Sequence, residues 1–327
     1  NANEPISFTS KETSPQAGDW GTGVYFASDS VNSSLSYVDF AYGGYQPAWP
    51  LLAQPAVIVS GAKVNFVHCL FSNSQTRALD LINSDSVVQN SQFASSTSAA
   101  IYISGASTPS IAGNTLQNSG HVGTAIKIDS SARPGVQTNT ITGFYYAVWL
   151  QSAYPSFSSN TLSDNSYNGV YVDDQTVINQ STTWQNSIVY LLESNFSQYP
   201  TVATSATLTI EAGAIIKPLN KYYTALKIEG NLLANGNSSS TLINFTSFKD
   251  DSLGGDSNND GSLTNATSTA GDWKDIWLAA GSQSTLKFVR FQFGGFQSGT
   301  YGEWREAAKS LKEDGGAVVW KDNVTIN

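Results

Sequence analysis

Val88-Gln-Asn-Ser-Gln-Phe93, Ile111-Ala-Gly-Asn-Thr-Leu116, Val136-Gln-Thr-Asn-Thr-Ile141 and Phe157-Ser-Ser-Asn-Thr-Leu162 are four versions of one phrase. Each opens on an apolar residue, runs through polar residues rich in asparagine, and closes on a second apolar residue. Phe66-Val-His-Cys-Leu-Phe71 is a looser fifth version. The opening residues sit at 66, 88, 111, 136 and 157, stepping by 22, 23, 25 and 21 residues. Between them recurs a second β-rich stretch: Ala100-Ile-Tyr-Ile103, Ala125-Ile-Lys-Ile128, Ala147-Val-Trp-Leu150 and Gly169-Val-Tyr-Val172. Strands this short cannot bury their apolar residues alone. Stacked as turns of a solenoid at ~4.8 Å, they place like residues above one another and build a continuous inner column. Asparagines in register at the turns can then bond from rung to rung as amide ladders, with Gly, Ser and Asp supplying the bends. A β-sandwich, with strands every roughly 8–12 residues, accounts for the strands but not for the repeated asparagine register. The pattern predicts an all-β chain, a right-handed parallel β-helix (β-solenoid) of about 10–13 coils, roughly 50–60 Å long.

A longer repeat surrounds the short one. Ile6-Ser-Phe-Thr-Ser10 returns as Ile243-Asn-Phe-Thr-Ser247, and Ala17-Gly-Asp-Trp20 as Ala270-Gly-Asp-Trp273. Leu35-Ser-Tyr-Val-Asp-Phe-Ala-Tyr-Gly-Gly-Tyr-Gln46 returns as Leu286-Lys-Phe-Val-Arg-Phe-Gln-Phe-Gly-Gly-Phe-Gln297, and Ala56-Val-Ile-Val59 as Ala317-Val-Val-Trp320. The offsets, 237, 253, 251 and 261, change only between the matched segments, where loops would lie. Four matches in one order indicate about one and a third copies of a unit of roughly 250 residues. Residues 1–178 read as the C-terminal part of one unit and 179–327 as the N-terminal part of the next, stacked in one solenoid. Val324-Thr-Ile-Asn327 is expected to stop where Val64-Asn-Phe66 continues into another coil, so the chain reads as a fragment. Its expected partners are neighbouring repeat units.

Composition narrows the setting. The chain has 16 basic and 25 acidic residues, a net charge of −9, and only 13% charged residues. That balance argues against nucleic acid or an anionic membrane surface as partner. No apolar run approaches the ~20 residues of a membrane span. Cys69 is the single cysteine, so no internal disulfide can form; in its apolar strand it reads as a buried, inert thiol. Methionine is absent. Seven sequons, at Asn32, Asn179, Asn195, Asn237, Asn244, Asn265 and Asn323, are candidate glycosylation sites.

Thr207-Leu-Thr-Ile-Glu-Ala-Gly-Ala-Ile-Ile-Lys-Pro218 and Leu226-Lys-Ile-Glu-Gly-Asn-Leu-Leu-Ala-Asn-Gly236 resemble a module of large bacterial and archaeal surface proteins. So do Ile243–Ser247, the acidic stretch Asp250–Gly261 and Gly271-Asp-Trp273. In that family a strand pair leads into pectate-lyase-like right-handed β-helix coils. The resemblance implies an extracellular or cell-surface location and a structural or adhesive role, as a stalk, fibre or adhesin segment. A surface polysaccharide is the expected external partner. A polysaccharide lyase or hydrolase, or a non-catalytic carbohydrate-binding β-helix, is the alternative.

The best candidate for chemistry is Asp256-Ser-Asn-Asn-Asp260-Gly-Ser262. Oxygen ligands from Asp256, Asn258 and Asp260 converge as the chain curls, Gly261 allows the bend, and the Ser262 carbonyl follows, as in the first half of a calcium loop. The usual twelfth-position Glu is replaced by Thr267, so Asp250, Asp251 or Asp272 would complete the shell around a structural Ca2+. Asp173-Asp174 ends a strand and is the obvious paired carboxylate, but no Gly-His-Gly or basic clamp accompanies it. An acidic strand-end turn is the preferred reading over a glycosidase dyad. The aromatic residues, including Tyr42-Gly-Gly-Tyr45, Phe144-Tyr-Tyr146 and eight tryptophans, read mainly as core and corners, with sugar stacking as the alternative. Residues 302–313 carry i,i+3 and i,i+4 charge pairs and read as one short helix in a loop.

Overall fold

A computed structural model describes residues 3–21, 23–30, 32–48, 51–261 and 268–295, and the strand backbones at 311–313, 317–320 and 325–326. The chain divides into two compact units, Asn1–Trp149 with Ala153–Tyr167, and Leu150–Ser152 with Asn168–Asn327.

In the first unit three strands repeat in turn, and every named strand pairing is parallel. One sheet has seven strands, from Ile6–Phe8 through Val38–Ala41, Leu70–Ser74, Gln92–Ser96, Thr115–Gln117 and Thr140–Thr142 to Thr161–Ser163. A six-stranded sheet runs from Ser33–Ser36 to Ser156–Ser158. A third ladder runs from Val24–Phe26 through Val57–Ser60, Leu79–Ile82 and Ala99–Ser104 to Thr124–Asp129. The register of the short repeat holds residue for residue: Phe66 pairs Val88, Val88 pairs Ile111, Ile111 pairs Val136 and Val136 pairs Phe157. The inward column of the seven-stranded sheet stacks Phe40 on Phe71 at 5.0 Å and Phe71 on Phe93 at 4.6 Å with parallel ring planes. Leu116, Ile141 and Leu162 continue it.

The asparagine phrase makes the turn. His68, Asn90, Gly113, Thr138 and Ser159 all adopt φ between 48° and 66°, one per rung, and a Cβ on Gly113 would meet Asn90 Oδ1 at 2.6 Å. The next residue on each rung carries the ladder. Asn114 Oδ1 accepts the Ser91 N–H (2.9 Å), Asn139 Oδ1 accepts the Asn114 N–H (3.0 Å), and Asn160 Oδ1 accepts the Asn139 N–H (3.0 Å). Each asparagine NH2 also donates to a backbone carbonyl: Asn114 to Val88, Asn139 to Ile111 and Asn160 to Val136. Cys69 stands at this same turn position, its N–H bonded to Ser91 Oγ, and burial raises its thiol pKa.

The second unit repeats the plan with two five-stranded sheets and a further parallel ladder. It builds the same corner as the first. Ile6 pairs Val38 and Phe8 pairs Phe40; Ile243 pairs Val289 and Phe245 pairs Phe291. The Trp20 indole donates to Ala41 O (2.7 Å), and Trp273 donates to the corresponding Gln292 O (2.8 Å). Ser10 Oγ donates to Asp19 (2.6 Å), and Ser247 Oγ to Asp272 (2.7 Å). The left-handed residues match as well, Tyr37 with Phe288 and Tyr42 with Phe293.

Three readings need correction. Leu311–Glu313 is a strand pairing Ile276–Leu278, not the end of a helix, and residues 302–310 lie outside the described residues. Helical charge pairs contribute only ~0.2–0.5 kcal/mol each, too little against a rung with open backbone groups. Ala317–Trp320 pairs Gln283–Leu286, which places Trp320 opposite Leu286 as Phe66 lies opposite Leu35; its counterpart is Val64–Val67 rather than Val57–Ser60. Thr325–Ile326 pairs Arg290–Phe291, so it corresponds to Leu70–Phe71 and not to Val64–Phe66. Alternating apolar tetrads resemble one another, and only the corners carry a register mark.

Candidate functional site

The acidic loop of the second unit is built around a lysine. Lys217 leaves the strand Ile215–Pro218 and is fully buried beneath the excursion that follows Ile243–Phe245. Its ammonium donates to Asp250 O (2.8 Å), Gly255 O (3.0 Å) and Ser257 Oγ (2.8 Å). The loop is fixed further by Asn168, whose N–H donates to Ser257 O and whose side chain donates to Asp256 O. Burial pushes the Lys217 pKa down to about 8, and Asp250, Asp251 and Asp256 pull it back only in part.

The carboxyl oxygens of Asp251, Asp256 and Asp260 come together within 4.8 Å. Asn258 joins them by donating to Asp260 (2.6 Å). Asp256 caps its own loop, accepting the N–H groups of Asp260 (3.2 Å) and Gly261 (3.0 Å). Like charges this close repel unless a cation or proton lies among them. The other expected ligands stand elsewhere. Asp250 is buried and accepts from Thr246 Oγ1 and from Ser252. Asp272 belongs to the corner: burial works against its charge, but bonds from Ser247, Thr269 and Lys249 prevail and lower its pKa. Both were placed near the metal by sequence proximity alone. Ser262 lies outside the described residues.

Lys217 was not singled out in the sequence. The available signal was one lysine in an otherwise apolar strand, facing a long polar insertion. Its titration gives a first prediction. Between about pH 8 and 10 the unfolded chain holds a proton on this lysine that the folded chain has lost, so stability rises with pH across that window. The gain is on the order of 3 kcal/mol. Urea midpoints from pH 7.5 to 9.5 should climb in the wild type and stay level in Lys217→Met; parallel profiles would refute the assignment.

Asp173 and Asp174 serve the strand end. Asp173 accepts the Gln175 N–H and the Gln151 side chain, and Asp174 accepts from Asn195. Glu193, one rung on, accepts the Tyr171 hydroxyl (3.2 Å), and burial raises its pKa despite that bond. The first unit also holds an ion pair that no sequence motif marks: Arg77 forks onto buried Asp80 (2.8 and 2.9 Å) and lies over the Tyr102 ring, whose hydroxyl donates to Asp129.

Aromatic residues gather on the outer side of the same unit. Tyr145, Tyr146 and Trp149, with His121 and Val122, line a cleft of about 370 Å³. Lys127 lies over the Trp149 ring at 4.5 Å. In the second unit Lys227 lies over Trp277, its register partner on the neighbouring strand, at the same distance. Trp20 and Trp273 do form corners, as expected; Trp49 and Trp304 lie outside the described residues.

The sequons differ in presentation. Asn32, Asn179 and Asn237 are exposed. Asn244 is buried in the strand Ile243–Phe245, with its amide donating to Leu242 O, and so is not presented for modification. Asn195 is tied into a tight turn by the N–H groups of Ser197 and Gln198. Asn265 and Asn323 lie outside the described residues. Expressed in a glycosylating host, the protein should carry glycan at one or more of Asn32, Asn179 and Asn237 and none at Asn244. Glycopeptide mass spectrometry checks this, and glycan on Asn244 would refute it.

Comparison with known proteins agrees with the topology. Residues 55–209 match the family described as the right handed beta helix region. No curated protein matches the sequence significantly. A solved structure of HetL, a pentapeptide repeat protein involved in heterocyst differentiation regulation from the cyanobacterium Nostoc sp. strain PCC 7120, aligns over 92% of this chain and 87% of its own. It does so at 8% identity and a TM-score of 0.22, too low to mean a common fold. The parallel rungs and the family match together make the fold a right-handed parallel β-helix.

Proposed function

We propose that this right-handed parallel β-helix is a structural and adhesive segment, a stalk or fibre element, of a repetitive cell-surface or secreted protein. The observation that carries the reading is the rung-to-rung ladder of Asn114, Asn139 and Asn160 beside the stacked Phe40, Phe71 and Phe93. Matched inward residues fix the column, so outward residues and loops can vary without loss of the scaffold. An antibody raised against the chain should label intact, unpermeabilised source cells or their medium. Labelling only after permeabilisation would sink the location, and release of oligosaccharides from a polysaccharide panel would replace the scaffold with an enzyme.

The acidic loop adds a local staple in this reading: one Ca2+ held by Asp251, Asp256 and Asp260 with Asn258. A hard cation suits converging carboxylate and amide oxygens, and it would offset their mutual repulsion. Ligand bound only by the folded state stabilises it by about 2.7 kcal/mol at a hundredfold excess over Kd. Calcium should therefore raise the melting temperature over that in chelator, and Asp251→Asn should remove the difference. Equal melting in calcium and chelator would end the proposal.

A further inference from the structure

We infer that the aromatic cleft of the first unit binds the apolar face of a hexopyranose ring in a neutral polysaccharide. This rests on the adhesive reading above and names its ligand class and site. Tyr145 and Tyr146 meet edge to face, with ring centroids 4.7 Å apart and planes at 86°, and Trp149 adds a third wall at 5.0 Å from Tyr146. Two walls at a right angle receive a ring-shaped ligand better than a flat patch does. The rings are presented to solvent, Tyr145 at 41% exposure and the facing Val122 at 46%.

The base of the cleft is fixed by backbone. Gly123 sits at φ 68°, where an added Cβ would meet the Ser98 carbonyl at 2.9 Å. Its own carbonyl accepts the N–H groups of both Tyr145 (3.1 Å) and Tyr146 (3.2 Å). The backbone of the two tyrosines is therefore fixed before any ligand arrives, and the Tyr146 ring is held further by Tyr145, Trp149 and Tyr167, which lowers the ordering cost of binding.

Polar groups stand at the margin: the hydroxyl residues Ser98 and Thr124, and His121, which is 3.2 Å from Asp164. Apolar faces with a few polar groups around them match a pyranose, whose C–H face is apolar and whose hydroxyls point outward. Charge favours a neutral ligand. No Asp, Glu, Lys or Arg side chain lines the cleft; Lys127 over Trp149 and Asp164 beside His121 stand at its margin with opposite charges. Tyr167 on the next rung stacks on Tyr146 at 5.1 Å and 23° and covers one of its faces, which leaves Tyr145 as the most exposed ring of the group.

Affinity electrophoresis in hydroxyethyl cellulose, galactomannan and soluble starch, with polygalacturonate as the acidic control, tests the inference. Wild type should be retarded by at least one neutral polymer. Tyr145→Ala should weaken that retardation about ten-fold, the equivalent of one lost aromatic contact. Tyr145→Leu, which keeps apolar bulk at an exposed position, should weaken it as well and guards against misfolding of the first variant. Tyr25→Ala, at a ring 57% exposed in the strand Val24–Phe26, should leave it intact. No retardation by any neutral polymer, or retardation of both Tyr145 variants as strong as that of the wild type, overturns the site. Retention by polygalacturonate alone, or retention indifferent to Tyr145, overturns the site and leaves the adhesive reading standing. Retention with release of oligosaccharides supports the cleft and overturns the scaffold reading.

Discussion

Asn139→Ala lowers the unfolding free energy by about 3–5 kcal/mol, because it leaves several buried groups without partners at once. The Asn139 amide oxygen accepts both the backbone N–H and the side-chain NH2 of Asn114, and its own NH2 serves Ile111 O and Asn160 Oδ1. The residue is 1% exposed, so water cannot substitute freely. Asn139→Asp keeps the acceptor, loses the donor and buries a charge; it should be at least as damaging at neutral pH and partly recover in acid. Urea denaturation followed by circular dichroism reads the change, and a loss below 1 kcal/mol would mean that the ladder only decorates the turn.

Phe71→Ala is the second large effect, about 3–5 kcal/mol. Phe71 is fully buried, sandwiched between Phe40 and Phe93, and meets Phe66 edge-on at 5.8 Å. Removing its ring strips a stacking partner from the rung on each side. In a solenoid, stability is close to a sum of rung and nearest-neighbour terms. The loss should therefore concentrate in the rungs carrying Phe40, Phe71 and Phe93, and hydrogen exchange should show their strands opening before Thr140–Thr142. Uniform loosening across the first unit would contradict that picture.

The inner column was legible because it repeats. Phe66, Val88, Ile111, Val136 and Phe157 share one face and one spacing, and the pairing follows that order without a slip. The corner at Trp20 and Trp273 was legible for the same reason, as a rare residue recurring in a fixed setting. What repeats weakly was misread. Ala317–Trp320 carries no mark that separates one strand of a rung from the next, and the charge-patterned stretch ending at Leu311–Glu313 was judged by local propensity where a neighbouring strand decided the outcome.

The acidic loop was half legible. Asp256, Asn258 and Asp260 announce themselves by alternation, and Asp251 does come to them. Asp250 and Asp272 are closer in sequence than in purpose, one bound to Thr246 and Ser252, the other to Ser247 and Lys249. Lys217 is distant in sequence from the loop it organises; its one local mark is its place in an otherwise apolar strand, and that mark does not name the partner it serves. The Arg77–Asp80 pair was overlooked for a different reason. Three residues apart in an extended stretch, they would ordinarily point to opposite faces, and here Arg77 lies in the bend before the strand Leu79–Ile82.

Among the described residues, the strand-to-strand pairings of the first unit join positions 21 to 33 apart, the extremes being Thr140 with Thr161 and Val24 with Val57. Among the described residues, none of these strand pairings waits on a distant part of the chain. Each closure costs only the entropy of a modest loop, and each finished rung offers its open edge to the next. Such a chain suits vectorial growth: threaded unfolded through a narrow exit, it can crystallise turn upon turn on its own emerging end, and the laying down of structure itself resists backsliding of the strand still inside.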